Sequence, residues 1–154
     1  MTIRLRGHHL LCLLTYRGVG YSDTFVANLD RVAARLTGGE AVEIVAGPDD
    51  VCEPLCAADD GMAAHCHLRR TRARDRAALG AVSAVLGRGL AVGDAAAGDA
   101  LVLDPETVAR LRAAFAAGTI RAACTRCPWD GLCTQVAEAG FAGTRLHPVP
   151  GSAQ

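Results

Sequence analysis

The chain has 154 residues, of which 51% are hydrophobic and 21% are charged, and its formal net charge is zero. This composition excludes an intrinsically disordered chain and argues against a protein that binds nucleic acid through general electrostatic attraction. Apolar runs such as Leu10–Leu14 reach only five residues, whereas a transmembrane helix needs about 20. We therefore expect no membrane partner.

The first half of the sequence predicts short strands alternating with helices. Alternating residues at 2–6 indicate a strand, and a helix is expected over 8–17. Helical spacing of apolar residues between the N-cap candidate Ser22 and Leu36 predicts the next helix. A second strand over 42–46 then precedes the turn Gly47-Pro48-Asp49-Asp50. The two aspartates could form a carboxylate pair, but they are more simply interpreted as turn residues and a cap.

The second half predicts three more helices. The first covers 68–86 and is followed by a flexible connector over 87–99. A short strand is expected within 100–103, and Asp104-Pro105-Glu106 is a strong signal for the start of a helix that ends near Gly118. A last short helix ends near Ala139.

Seven cysteines are the most informative feature of the composition. The N-terminus lacks the pattern of a secretory signal peptide, so we expect a cytoplasmic protein. In that reducing compartment, cysteines indicate metal binding or catalysis before disulfides.

Six of the cysteines form two triplets, the first of which has a histidine on each side of its last cysteine. The triplets are Cys52-x3-Cys56-x9-Cys66, with His65 and His67, and Cys124-x2-Cys127-x5-Cys133. A Cys-x2-Cys pair places two thiolates on one metal ion or cluster, and Cys133 lies near the start of a helix, which favours a thiolate. The alternative is that cysteines serve as small buried hydrophobic residues, which suits Cys56 best.

Neither triplet supplies the four ligands that a structural zinc ion or an iron–sulfur cluster needs. Either the triplets converge on one site, or each recruits another ligand such as a histidine. Cysteine ligands favour iron–sulfur or zinc over magnesium or calcium, and the spacing leaves the choice between those two open. We predict a mostly α fold with minor β (α+β): a single-domain helical bundle over residues 1–146, with both cysteine-rich loops at one end, followed by a loose tail over 147–154.

The N-terminal helix offers a further group of ligands. His8 and Cys12 are spaced i and i+4, and His9 and Cys12 are spaced i and i+3, so either pair can share one face and bind one metal. In the alternative interpretation Cys12 belongs to the core and the histidines form hydrogen bonds. A nucleophilic Cys–His pair is also conceivable, although no third residue is available to orient it.

Five arginines lie within eight residues, from Arg69 to Arg76. They suggest an anion site or a docking face for an acidic redox protein. The simpler alternative is a solvated helix face, partly balanced by Asp75.

Four blocks of sequence together resemble one small bacterial and archaeal family, called domain of unknown function 1284. The blocks are Arg6-Gly7-His8-His9-Leu10-Leu11-Cys12, Gly18-Val19-Gly20-Tyr21-Ser22, Gly47-Pro48-Asp49-Asp50-Val51-Cys52 and Cys127-Pro128-Trp129-Asp130-Gly131-Leu132-Cys133. The resemblance extends from about Ile3 to Leu146 and implies an iron–sulfur protein. The resemblance also implies that His8 and His9 have a functional role. The cluster ligands that it implies are Cys52, Cys66, Cys124, Cys127 and Cys133. Cys56 is the least secure of the ligands carried over.

Three functions remain open from the sequence. The first is a small cytoplasmic iron–sulfur protein for electron transfer or redox sensing. The second is a structural zinc module that binds a partner protein. The third is a cluster-dependent enzyme in which His8 or His9 acts as acid or base.

Overall fold

A computed structural model describes residues 2–19, 23–46, 49–51, 69–90, 92, 101–121 and 130–147. These residues form five helices and a small sheet, so the predicted fold class, mostly α with minor β, is confirmed. In chain order the elements are β1 (Thr2–Leu5), α1 (Gly7–Thr15), α2 (Asp23–Thr37), β2 (Ala41–Ile44), α3 (Arg69–Leu86), β3 (Leu101–Val102), α4 (Pro105–Ala116) and α5 (Asp130–Glu138).

The sheet has the order β1-β2-β3. Strands β1 and β2 are parallel, with Ile3 opposite Val42, and β3 adds antiparallel to β2, with Leu101 opposite Val42. Ile3 and Leu5 are fully buried, while Thr2 and Arg4 are exposed. This alternation is the reason that residues 2–6 could be predicted as a strand.

Two helices follow their sequence patterns closely. In α2 the buried residues recur at helical spacing, and they are Phe25, Leu29, Val32, Ala33 and Leu36. At the start of α4, the Asp104 side chain accepts a hydrogen bond from Thr107 N at 2.7 Å, and Pro105 occupies the first turn. A helix with an apolar stripe and a strong cap is specified locally, so its position depends little on distant residues.

The central helix is α1, which packs against α3, α4 and α5. It ends at Thr15, two residues earlier than predicted, because the backbone at Tyr16 is extended. Three of its nine residues are not buried, namely His8, His9 and Cys12. We call these three residues the His–Cys face of α1.

Helices α1 and α3 are in close contact at Gly7. A Cβ atom at this position would overlap the carbonyl group of Asp75 and press on the Leu79 side chain. The obstacle includes backbone, so the two helices would have to separate.

Replacing Gly7 with alanine is therefore expected to lower the free energy of unfolding by about 2 kcal/mol. The matched control is Gly80→Ala, since Gly80 lies in α3 with no atom near its missing Cβ. That change is expected to stabilise the protein by about 0.5–1 kcal/mol, because alanine favours a helix. Urea denaturation measures both values, and a neutral Gly7→Ala variant would contradict the close packing.

Candidate functional site

The N-terminus of α1 lacks a local cap. Arg6 occupies the N-cap position without a side-chain capping bond, and the first turn contains no acidic residue. Two carboxylates from distant segments supply the acceptors instead. Asp49 accepts a hydrogen bond from Arg6 N at 2.7 Å, and Asp75 accepts one from His8 N at 3.2 Å. Both carboxylates therefore lie at the end of α1 where the helix dipole favours negative charge.

Asp75 also forms a buried ion pair with Arg6. The carboxylate oxygen Oδ2 lies 2.9 Å from Arg6 Nε and 2.8 Å from Nη2. The Arg6 side chain is 0% exposed and that of Asp75 is 11% exposed. Burial opposes ionisation of Asp75, but hydrogen bonds from His8 and Arg6 outweigh it and hold the pKa of this carboxyl below its usual value.

His8 donates its ring Nδ1–H to Asp75 Oδ1 at 2.7 Å. Burial, together with the neighbouring His9, lowers the pKa of His8 to about 4 despite the opposing carboxylate. The imidazole is therefore neutral at pH 7, and because Nδ1 holds the proton, Nε2 carries a lone pair.

His9 also places its ring Nδ1 within hydrogen-bond distance of a carboxylate, that of Asp49. Its Nδ1 lies 2.7 Å from Asp49 Oδ2, while Asp49 Oδ1 accepts a hydrogen bond from Val51 N at 3.0 Å. The two imidazole rings are 4.3 Å apart and tilted by 55°. Each histidine is thus oriented through Nδ1 by a carboxylate, as is typical of imidazoles whose Nε2 binds a metal or accepts a proton.

Thiol groups lie further along the same helix. Cys12 is half-buried on the His–Cys face, one turn after His8. Half-buried Cys133, the fourth residue of α5, places Sγ 3.1 Å from Thr15 Oγ1. His8 and Thr15 are separated by about 10 Å along the helix axis. This short helix therefore carries two imidazoles and one thiol of its own, and a second thiol, that of Cys133 in α5, contacts its last residue.

These residues carry the types of donor atom that bind an iron–sulfur cluster or a zinc ion, the two groups predicted from the sequence. Thiolate and imidazole bind iron and zinc, while the carboxylates of Asp49 and Asp75 are already engaged with Arg6 and the histidines. Among the residues described, no three His, Cys, Asp or Glu side chains are arranged to hold a metal ion. The His–Cys face and Cys133 have the donor types of a thiolate- and imidazole-bound centre, and they would supply only some of its ligands.

The remaining ligands predicted from the sequence lie outside the described residues, and so does the predicted convergence of the two cysteine-rich loops. These ligands are Cys52, Cys56, His65, Cys66, His67, Cys124 and Cys127. Of the tail, His147 is described, and its N–H donates to Thr37 Oγ1.

The arginine-rich segment belongs to the first half of α3. Arg72 and Arg76 are exposed and Arg74 is half-buried, in agreement with a solvated helix face. Docking of a redox protein on Arg69–Arg76 stays a prediction.

In the part of the chain that the structure describes, no helix has the length and apolar character to cross a membrane.

Sequence reasoning missed the residues that orient the histidines. Asp49, which the sequence predicts as a turn or cap residue, is 4% exposed with three hydrogen-bond donors around it, two of them from residues 40 or more positions away. For Asp75 the sequence predicts only partial balance of the arginine charges, and for Arg6 it predicts no ion pair. The signal available was the absence of a capping residue before α1, which calls for acceptors from elsewhere.

A family model described as "Protein of unknown function (DUF1284)" matches residues 20–133. The chain belongs to this family. The DUF1284 match is shorter than the resemblance inferred from Ile3 to Leu146; it includes Asp49, Asp75 and Cys133, while the His–Cys face precedes it. Searches of curated proteins and of solved structures found no match.

The lowered pKa of His8 predicts a stability that depends on pH. Above pH 6.5 the imidazole is neutral in both the folded and the unfolded chain. Between pH 6.5 and about 4, the unfolded chain binds a proton that the folded chain does not. The free energy of unfolding should therefore fall by about 3 kcal/mol across this range through His8 alone.

Chemical denaturation of metal-free protein at pH 7 and pH 4.5 measures this effect. In His8→Gln the loss of stability between the two pH values should be smaller by about 2 kcal/mol. The control is His147→Gln, which replaces an exposed histidine. Parallel pH profiles for the parent and His8→Gln would show that His8 keeps an ordinary pKa.

Proposed function

We propose that this DUF1284 protein binds an iron–sulfur cluster and serves in electron transfer or redox sensing. Its ligands would come from the cysteines of the 52–66 and 124–133 segments, with Cys12, His8 and His9 as further candidates. A bound cluster would supply one-electron chemistry. The observation that carries the proposal is that α1 carries Cys12 and two carboxylate-oriented imidazoles, and that its last residue, Thr15, contacts Cys133.

The described flanks of both cysteine-rich segments support this proposal. Val51 immediately precedes Cys52 and donates its N–H to Asp49, which holds His9. Asp75, in the helix that follows Cys66, holds His8. Cys133, the last member of the second triplet, contacts Thr15. Asp49 and Asp75, on either side of the first segment, and Cys133, at the end of the second, therefore all contact α1, which favours a shared centre.

The carboxylate–histidine pairs support a role for the imidazoles toward such a centre. A ligating histidine usually donates its other ring N–H to a carboxylate, which fixes the tautomer and the ring orientation. His8 and His9 both satisfy this condition at 2.7 Å. The capping of α1 explains why the two carboxylates lie there, and the matching orientation of two adjacent imidazoles favours a further role as ligands.

Anaerobic purification and reconstitution, followed by analysis of iron, acid-labile sulfide and visible absorption, test the proposal. We expect a coloured protein that contains iron and sulfide. Cys12→Ser and Cys133→Ser should each lower the iron and sulfide content by more than half. A colourless protein with stoichiometric zinc after anaerobic reconstitution would contradict the proposal and favour a structural zinc module.

The histidines require a separate comparison. His8→Gln and His9→Gln should shift the visible spectrum of the reconstituted protein or lower its iron content. His147→Gln provides the matched control, because His147 is exposed at the far end of the described chain. If all three variants behave alike, the imidazoles are not ligands and the centre is bound by thiolates alone.

The same imidazoles favour a second candidate function, a cluster-dependent enzyme. A neutral imidazole with Nδ1–H bound to a carboxylate is the arrangement of a general base. Such an enzyme needs an iron with an open coordination position. Titration of reconstituted protein with azide distinguishes the candidates: a saturable change in visible absorption favours the enzyme, and an unchanged spectrum favours simple electron transfer.

A further inference from the structure

We infer that the hydroxyl of Thr15 is a positioning residue that donates a hydrogen bond to the sulfur of Cys133 in the metal-bound protein and raises the reduction potential of the centre. The inference rests on the proposed function, because it requires Cys133 as a ligand. It identifies a residue that belongs to neither cysteine triplet.

Thr15 places one hydroxyl between two cysteine residues. Its Oγ1 lies 3.1 Å from Cys133 Sγ and 3.3 Å from the backbone oxygen of Cys12. The residue is 5% exposed, so water does not compete freely for this hydroxyl. It is the last residue of α1, whereas Cys133 is 118 residues further along the chain and lies in α5.

The hydroxyl has one hydrogen to donate and two acceptors within reach. With Cys133 as a thiol, its S–H can donate to Thr15 Oγ1 while the hydroxyl donates to Cys12 O. A metal-bound thiolate has no proton, so the hydroxyl becomes the donor of the Thr15–Cys133 pair. A hydrogen bond to an anionic sulfur is also stronger than one between neutral groups.

Such a bond changes the redox equilibrium of a centre that the sulfur ligates. Reduction adds negative charge, part of which resides on the sulfur ligands, and a donated hydrogen bond stabilises that charge. Hydrogen bonds to the sulfurs are among the features that set the potentials of iron–sulfur proteins. A buried donor acts strongly because the surrounding dielectric constant is low.

The test compares Thr15→Val, which retains the shape of the side chain without the hydroxyl, with Thr15→Ser, which retains the hydroxyl. Both are reconstituted anaerobically, and midpoint potentials are measured by spectroelectrochemistry. Thr15→Val should shift the redox equilibrium toward the oxidised form about fivefold, which is roughly 40 mV for a one-electron couple. Thr15→Ser should restore the potential of the parent protein to within about twofold.

The matched control is Thr144→Val. Thr144 is 2% exposed and donates to the backbone oxygen of Phe141 three residues earlier, as Thr15 does to Cys12. Its hydrogen-bond partners, Phe141 O and Arg112 Nη2, include no cysteine. Its loss should lower stability without moving the potential.

Iron analysis separates the possible failures. If the parent protein holds iron and sulfide but Thr15→Val leaves its potential unchanged, the role of Thr15 is overturned and the proposed function stands. If the parent protein holds neither iron nor sulfide, the role of Thr15 and the proposed function are both overturned. Should Thr15→Val fail to bind iron, resonance Raman spectra of the parent in H2O and D2O decide: the inference requires a deuterium shift of an iron–sulfur stretching band that Thr15→Ser retains and Thr15→Ala loses.

Discussion

Replacing Asp75 with asparagine is expected to lower the free energy of unfolding by about 3 to 5 kcal/mol. The variant keeps the shape of the side chain and removes its charge. Arg6, whose side chain is fully buried, would then lose its ion pair with Asp75 close to the positive end of α1. His8 would lose the charged acceptor of both its backbone N–H and its ring Nδ1–H. Urea denaturation at pH 7 measures the change.

The control for charge loss alone is Glu40→Gln. Glu40 pairs with Arg35 at 2.7 Å, but both side chains are about one third exposed, at 33% and 35%. Water can replace this partner, so the variant should unfold at the same urea concentration as the parent protein within experimental error. If Asp75→Asn were equally neutral, the ion pair with Arg6 would contribute little and the N-terminus of α1 would be held by other contacts.

The parts of the fold that could be predicted are those specified by neighbouring residues. Helix α2 is identified by an apolar stripe within its own sequence, and α4 by an aspartate cap and a proline. Residues 2–5 alternate between exposed and buried positions, which marks β1. In each case the information lies within one element, so a single sequence is sufficient.

The candidate site was predicted only in part, because its supporting contacts join residues far apart in the chain. The spacing of His8, His9 and Cys12 follows from helical geometry and was predicted. The hydrogen bonds that Arg6 donates to Asp49 and to Asp75 join residues 43 and 69 positions apart. Both aspartates had a sufficient local explanation, a turn in one case and charge balance in the other, and local patterns do not distinguish these roles from capping a distant helix.

The two carboxylates have different partners, and each of them orients one of the two histidines. Asp75 combines a buried ion pair with the orientation of His8, while Asp49 binds two backbone N–H groups and orients His9. The same interactions that stabilise the start of α1 therefore orient the imidazoles. Replacing either carboxylate therefore changes both the stability of the protein and the orientation of a histidine. The metal affinities of such variants must be compared under conditions in which the same fraction of the protein is folded.

Asp49→Ala is expected to cost about 4 kcal/mol or more, because three buried or part-buried donors lose their acceptor and each contributes about 1–3 kcal/mol. The donors are Arg6 N, Val51 N and His9 Nδ1. The matched control is the neighbouring Asp50→Ala, where the hydrogen bond to Arg4 N is exposed and water can replace it. Its cost should stay near 1 kcal/mol.

Asp49→Asn separates the two roles of this carboxylate. Its amide oxygen can still accept from Val51 N, but the amide nitrogen then meets the N–H groups of Arg6 and His9, which are also donors. Stability should fall less than in the alanine variant, whereas His9 loses the acceptor that orients its ring. If His9 ligates the centre, metal affinity should fall by about 10- to 100-fold even where the protein is fully folded. A folded Asp49→Asn variant with the parent's metal affinity would leave Asp49 as a structural residue only, because the orientation of His9 would then have no consequence for binding.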